Sequence, residues 1–277
     1  MWVYLDGAWL DEHAAAIPID DRGFLYADAV YETARLHRGG YFRLRQHLDR
    51  LVASAATLRI PLPPIDYIVQ VAAGLAHRND LSEGTFRITV SRGSHGADPG
   101  TVLATLRPLP DDLLERAERG WSIITAAVRR PSIAAIPAHL KSPGRPYAIL
   151  ARLEAEARGA DDALLLDERG HVSEGPTWNV FWRRGDTLAT PSVECGVLPG
   201  VTRAAIMGLA RAAGLRPAEG RYSRADLDDA DEIFATMSSA GVVAFRSLDG
   251  RDLPPSHTAA AGLQRSYWEL VARETTA

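Results

Sequence analysis

Two apolar periods run through this chain. Where apolar residues come at every second position we expect strands, and where they recur every three or four we expect helices. Residues 2–5 (WVYL) predict a strand that ends in an Asp6-Gly7 turn, and AVYETARLHRGGYFRL predicts two strands joined at Gly39-Gly40. In RQHLDRLVASAATLRI, Leu48, Leu51, Val52, Ala55 and Leu58 share one helical face, and a second helix is expected over 65–77. GTFRITVSRG and GTVLATLRPL predict paired strands around a Gly-rich loop at 93–100. The stretch RPLPDDLLERAERG (107–120) interrupts the pattern with two prolines and a run of charge. The expected organisation is a small N-terminal domain over 1–112, a connection over 113–120 and a larger domain over 121–277.

In the second half, Pro146 suits the first turn of a helix that runs to about Arg158 and stops at Gly159. ALLLDERGHVSEG and WNVFWRRGDTLAT each predict a hairpin, and a helix over 201–213 follows GVLPG and ends at Gly214. SRAD (223–226) reads as a capping box before a short helix, and EIFATMSSAGVVAF as strand, tight loop, strand. Strands and helices in irregular order predict an α+β protein.

Composition narrows the function classes. At 277 residues, 46% apolar and 24% charged, the chain reads as an ordinary globular protein. No apolar run approaches the roughly 20 residues that span a bilayer, and MWVYLDGAWLDEH does not read as a signal peptide. One cysteine, Cys195, leaves no internal disulfide and suits a reducing cytoplasm. A net charge of −4, with arginines scattered beside acids, argues against nucleic acid as a partner. Of the 31 basic Lys and Arg residues only one, Lys141, is lysine. Guanidinium stays protonated, whereas a desolvated lysine amine can lose its proton and form a Schiff base. Composition alone leaves Lys141 open between a surviving surface cation and a reagent.

Its surroundings add to this. Lys141 precedes Pro143, Gly144 and Pro146, so it ends a strand and stands at a helix entrance rather than inside a helix. In LPGVTR, a Pro-Gly turn leads into a helix that begins at Val201 and Thr202, whose free N–H groups and hydroxyl suit an anion, although standing alone the motif reads rather as an ordinary helix start. MSSAG offers the hydroxyls of Ser238 and Ser239, and Glu174 in HVSEGPTWN is a carboxylate at a strand end, suited to a protonated ring nitrogen or simply to solvent. The eight histidines show no metal spacing and Cys195 has no cysteine partner, so no metal site is expected. GxGxxG and GxxxxGK[ST] are absent, and GSHG is not a nucleophile elbow.

In this order, DDRGFLYADAVYETARL, FRLRQHLDRLVASAATL, KSPGRPYAILARLEAEARGADDALLLDERGHVSEGPTWNVFW, GVLPGVTR and ADEIFATMSSAG resemble the class IV (fold-type IV) pyridoxal-phosphate enzymes. These include branched-chain and D-amino-acid aminotransferases, R-selective amine transaminases and 4-amino-4-deoxychorismate lyases. The resemblance implies a two-domain fold with pyridoxal 5'-phosphate between the domains, in a cytoplasmic homodimer. It further implies Lys141 as the Schiff-base lysine that later moves the proton, and Glu174 as the acid on the pyridine nitrogen. Arg50, Val201, Thr202 and Ser238 would hold the phosphate, and Leu198 would join the cofactor site.

For the substrate, Tyr31 matches a tyrosine that D-amino-acid aminotransferases place over the substrate carboxylate. Arg92 and His95 stand in the following loop without that group's Arg-x-His pattern. Arg87 matches the arginine of the branched-chain Tyr-x-Arg motif, with Thr85 in place of the tyrosine. SRGSHG, NVFWRRG and Arg145, four residues after the lysine, are similar to the lyase branch, whereas KSPGRP fits no branch. Ser239 completes the expected substrate residues. The expected activity is transfer of an amino group from a D-amino acid or small primary amine to a 2-oxo acid, with aminodeoxychorismate lyase as the alternative.

Overall fold

The computed structural model of the chain describes residues 1–94, 100–254 and 258–276. They divide into two units. One holds Met1–Leu109, His139–Gly144 and the residues from Val271 on; the other holds Pro110–Ala138 and Arg145–Leu270. This differs from the sequence-based division at three places. The expected connection over 113–120 is largely a helix inside the second unit, and two segments assigned to the larger domain return to the first. The return is driven by packing that no local pattern announces: Leu140 joins the first unit's core, and Val271 is fully buried.

The first unit runs β1 (Trp2–Leu5), β2 (Ala8–Asp11), α1 (Arg22–Tyr26), β3 (Ala29–His37), β4 (Gly40–Tyr41), α2 (Leu44–Leu58), α3 (Ile65–Arg78), β5 (Gly84–Ser91) and β6 (Val102–Arg107). Its strands form one antiparallel sheet in the order β2-β1-β6-β5-β3-β4. Side chains alternate across the pleat. Val30, Ala34 and Leu36 of β3 and Phe86, Ile88 and Val90 of β5 therefore face the core with Leu48, Leu51 and Ala55 of α2 and Ile68, Val71 and Leu75 of α3. Tyr31, Thr33, Arg87 and Thr89 fall on the opposite face, with Tyr31 opposite Thr89 and Thr33 opposite Arg87. Val52, expected in the buried stripe, is 43% exposed. At 3.6 residues per turn it lies about 90° round from the centre of the stripe, where Leu44 packs instead.

The second unit contains α4 (Leu113–Arg119), β7 (Trp121–Arg129), α5 (Pro146–Ala157), β8 (Asp162–Leu166), β9 (Asn179–Arg184), β10 (Thr187–Pro191), α6 (Val201–Ala212), β11 (Arg216–Gly220), β12 (Glu232–Met237), β13 (Gly241–Leu248), β14 (Arg251–Asp252) and most of α7 (Thr258–Thr275). Its mixed sheet is ordered β11-β10-β9-β12-β13-β7-β8, with β14 on β13. The expected hairpins β9–β10 and β12–β13 are antiparallel, whereas β10–β11 and β7–β8 are parallel. Helices α6 and α5 lie between the strands of those two parallel pairs in sequence, as a parallel connection requires. Ser223 and Asp226 form the expected reciprocal cap, over one short turn at Arg224–Leu227.

Candidate active site

In the first unit, Lys141 is fixed by its main chain. Its N–H donates to Ser54 Oγ at 3.1 Å, and its carbonyl accepts from Tyr31 N–H at 3.0 Å. Ser54 in turn donates to the His139 carbonyl, so α2 and β3 grip the segment from two sides. The amine Nζ lies 4.8 Å from the centre of the Tyr31 ring, and the Arg87 guanidinium carbon lies 3.9 Å from the same centre. One aromatic ring thus gathers an amine and a guanidinium.

Next to Tyr31, on the core-facing side of β3, stands Glu32. Arg50 donates to both its oxygens, through Nε at 2.6 Å and through NH2 at 2.9 Å, and His47 Nδ1 is 2.9 Å away. Burial pushes the Glu32 carboxyl up, but hydrogen bonds from Arg50 and His47 and the charges of Arg50 and Lys141 outweigh it and hold it down at about 2. Burial lowers His47, and the Glu32 carboxylate only partly offsets this. The neutral imidazole therefore donates Nδ1–H to the carboxylate. Sequence reading placed Arg50 in the site but missed Glu32 and His47, because an acid within an apolar strand carries no signal until a helix is packed over it.

In the second unit, Glu174 is buried, with polar partners on both oxygens. Its Oε2 accepts from Leu198 N–H at 2.9 Å and Asn179 Nδ2 at 3.1 Å. Its Oε1 accepts from Arg145 NH2 at 3.3 Å, with Arg130 Nε 4.0 Å away. Arg145 also donates to the Tyr147 hydroxyl at 3.0 Å. The structure thus places Arg145, expected at the substrate, on the Glu174 carboxylate. Leu198 contributes its backbone to the same group. Helix α6 begins at Val201 after Gly200 with no side-chain cap, so its first amides are not taken by a capping group, and the Thr202 hydroxyl lies 3.4 Å from the Tyr267 hydroxyl.

Ser238 and Ser239 are half-buried in the turn between β12 and β13. Gln264 of α7 fixes that turn where it enters β13, accepting from Val242 N–H at 2.7 Å and donating to the Ala240 carbonyl at 3.0 Å. Ser239 also lines a cavity with Trp121, Asp162 and Thr177 that includes neither Glu174 nor Thr202.

Arg92 departs from expectation. Its three guanidinium nitrogens bind Asp28 and the carbonyls of Leu58 and Arg59, which fastens the end of α2 to the start of β3. The Asp28 carboxyl is held low chiefly by Arg92, against its burial. Arg92, anticipated at the substrate, here staples the scaffold together. His95 lies outside the described residues.

An amine, a buried carboxylate met by guanidinium groups and an uncapped helix start are the parts of amino-group chemistry on an anionic cofactor. The profile of the Amino-transferase class IV family matches residues 29–248. Over 259 residues the chain is 34% identical to the "Putative branched-chain-amino-acid aminotransferase" of Methanocaldococcus jannaschii, covering 91% of this chain and 89% of that one. Over 257 residues it is 30% identical to the aminodeoxychorismate lyase of Bacillus subtilis, covering 89% and 86%. Among solved structures, a hypothetical aminotransferase from Mycobacterium tuberculosis with α-ketoglutarate and PMP bound superposes with a TM-score of 0.90 at 26% identity, over 99% of this chain and 100% of that one. Pyridoxal 5'-phosphate is the cofactor of such enzymes. The chain is a member of the class IV aminotransferases.

Proposed function

We propose that the chain moves the amino group of an apolar α-amino acid to a 2-oxo acid, with Lys141 as the Schiff-base lysine. The observation that carries this is the placement of the chain's one lysine, gripped by α2 and β3, with its amine over the same ring as the Arg87 guanidinium.

The residues suit the cofactor. Glu174 Oε1 faces the Arg145 and Arg130 guanidinium groups, a setting that fits a protonated ring nitrogen. Arg50, oriented by Glu32, the amides at Val201 and Thr202, the Thr202 hydroxyl and Ser238 are assigned to the phosphate. When bound, pyridoxal phosphate supplies an electron sink for the pair left on the substrate carbon when its C–H bond breaks. Lys141 Nζ would accept that proton and hand it on. Glu174 would keep the ring nitrogen protonated.

Arg87, exposed on β5, suits the substrate carboxylate, which favours an amino acid over the simple amine among the expected donors. The Methanocaldococcus jannaschii relative points to a branched-chain donor, with a D-amino acid as the competitor, and the α-ketoglutarate of the Mycobacterium tuberculosis structure points to that acceptor. The Bacillus subtilis relative supports the lyase as the second reading. The exposed apolar side chains Phe24, Leu25 and Tyr26 in one unit, and Ile149, Leu150 and Leu153 in the other, support a homodimer. A cytoplasmic setting accords with a single buried cysteine.

The test is a spectral half-reaction. Leucine, valine, D-alanine, a simple amine and aminodeoxychorismate are each mixed with the holoenzyme. Conversion of the cofactor to its amine form by leucine or valine is expected. Conversion by none of them, or release of p-aminobenzoate alone, overturns the reading. Lys141→Ala should leave no cofactor covalently fixed after borohydride reduction, whereas the wild type should carry it on one peptide.

A further inference from the structure

His171 and Cys195 have no part in the chemistry above, yet the second unit brings them together with Asp167. The three offer one ligating atom each, from a carboxylate, an imidazole and a thiol, and these atoms all lie within 4.8 Å of one another. Asp167 follows β8, and its Oδ1 accepts from the backbone N–H of Arg169 and His171 at 2.9 and 2.8 Å, so the turn itself aims the carboxylate. Its Oδ2 meets His171 Nδ1 at 3.1 Å. Cys195 ends the short turn Val193–Cys195 and is buried, its Sγ 3.9 Å from the Gly220 carbonyl. Ser173 Oγ donates to the Cys195 carbonyl at 2.7 Å and so ties the two segments together.

We propose that Asp167, His171 and Cys195 form a binding site for one zinc ion. A thiolate, an imidazole and a carboxylate are the ligand types zinc takes, at bond lengths of about 2.0–2.3 Å, whereas magnesium and calcium demand oxygen donors. In a tetrahedron such bonds set neighbouring ligand atoms about 3.3–3.6 Å apart. The Asp167–His171 separation of 3.1 Å is already close to this, and the sulfur lies within 4.8 Å of both partners. His171 is half-exposed, which gives the ion an entry route and leaves the fourth position to water. Without metal, the same contacts describe a turn stapled by an Asp–His hydrogen bond, with Cys195 filling space. The two descriptions differ in whether the thiol sulfur holds its proton or a metal ion. Bound zinc would pin the segment that leads to Glu174 against the one that leads to Leu198, whose N–H holds Glu174.

The experiment titrates the chelator-dialysed holoenzyme with Co²⁺ and then displaces it with Zn²⁺. Tetrahedral, thiolate-bound cobalt absorbs in the red, where pyridoxal phosphate does not. We expect saturation at one ion per chain, and a loss of at least about tenfold in affinity in both Cys195→Ser and His171→Asn. Unchanged metal-free melting of His171→Asn, whose side chain reaches solvent, shows that the loss is not one of folding. Absence of saturable uptake by the wild type, or equal uptake by both variants, overturns the proposal. Either result is independent of whether Lys141 and Glu174 serve the cofactor.

Discussion

Glu32 sits between Val30 and Ala34 on the core-facing side of β3, where the alternating pattern calls for an apolar side chain. It remains a carboxylate there because Arg50 binds both its oxygens and His47 donates a third hydrogen bond. Both acid and histidine titrate below their ordinary values, so both give stability that is present at neutral pH and lost on acidification. The histidine contribution starts to fall below its ordinary 6.5, as the unfolded chain takes up a proton that the buried ring refuses. The Glu32 contribution falls below 4.5 and continues toward about 2, a shift worth roughly 3 kcal/mol. Urea unfolding between pH 7 and 3 should therefore show two limbs. His47→Asn, which keeps the donor, should remove the upper limb. Glu32→Gln should remove the lower one and cost roughly 3 kcal/mol at pH 7, because it leaves Arg50 without its buried counter-ion. A wild-type profile retained by both variants would show that neither group is coupled to folding.

At the scale of elements, the start of α6 depends on a glycine. A Cβ at Gly200 would run into Asn179 Oδ1 and come within 3.2 Å of Arg203 Cβ. Asn179 Nδ2 bridges Glu174 Oε2 and the Leu198 carbonyl, so anything that moves Asn179 loosens Glu174. Gly200→Ala should weaken cofactor binding about tenfold, roughly 1.4 kcal/mol, as read from the fluorescence of released pyridoxal phosphate. Gly208→Ala, further along the same helix with nothing within 4 Å, should leave cofactor affinity alone and raise stability by up to about 1 kcal/mol. Equal effects of the two changes would remove Asn179 from the argument. This contrast also shows what the sequence could and could not reveal. The Pro-Gly turn before Val201 is local and legible, as are the hairpins and the lone lysine. Asn179 lies within a predicted hairpin strand, and Gln264 lies on a helix well beyond the serine turn it fixes. Periodicity finds elements but does not say which polar side chain at the end of one meets which backbone of another. Arg92 shows the converse, a cation in a suggestive loop whose partners are Asp28 and two helix-end carbonyls.

On the scale of the whole molecule, the two units are not two halves of the chain. The first unit takes back His139–Gly144, which brings Lys141 to α2 and β3, and it also takes the end of α7. In that end Val271 is fully buried, and Glu274 accepts from Arg43 Nε at 2.9 Å and NH2 at 3.0 Å. Arg43 stands in the left-handed region immediately before α2, the helix that carries His47, Arg50 and Ser54. Deleting residues 271–277 should thus act on α2, far away in sequence. The lost burial of Val271 is worth about 1.5–3 kcal/mol, and the partly exposed ion pair adds no more than about 1. Hydrogen exchange should accelerate in α2 and β3 while the amides of β9 and β12 keep their protection. Glu274→Gln alone should reproduce only the smaller part. If the deletion sped exchange in both sheets alike, α7 would be stabilising the chain as a whole, and α2 would owe its order to the sheet beneath it rather than to the segment that returns.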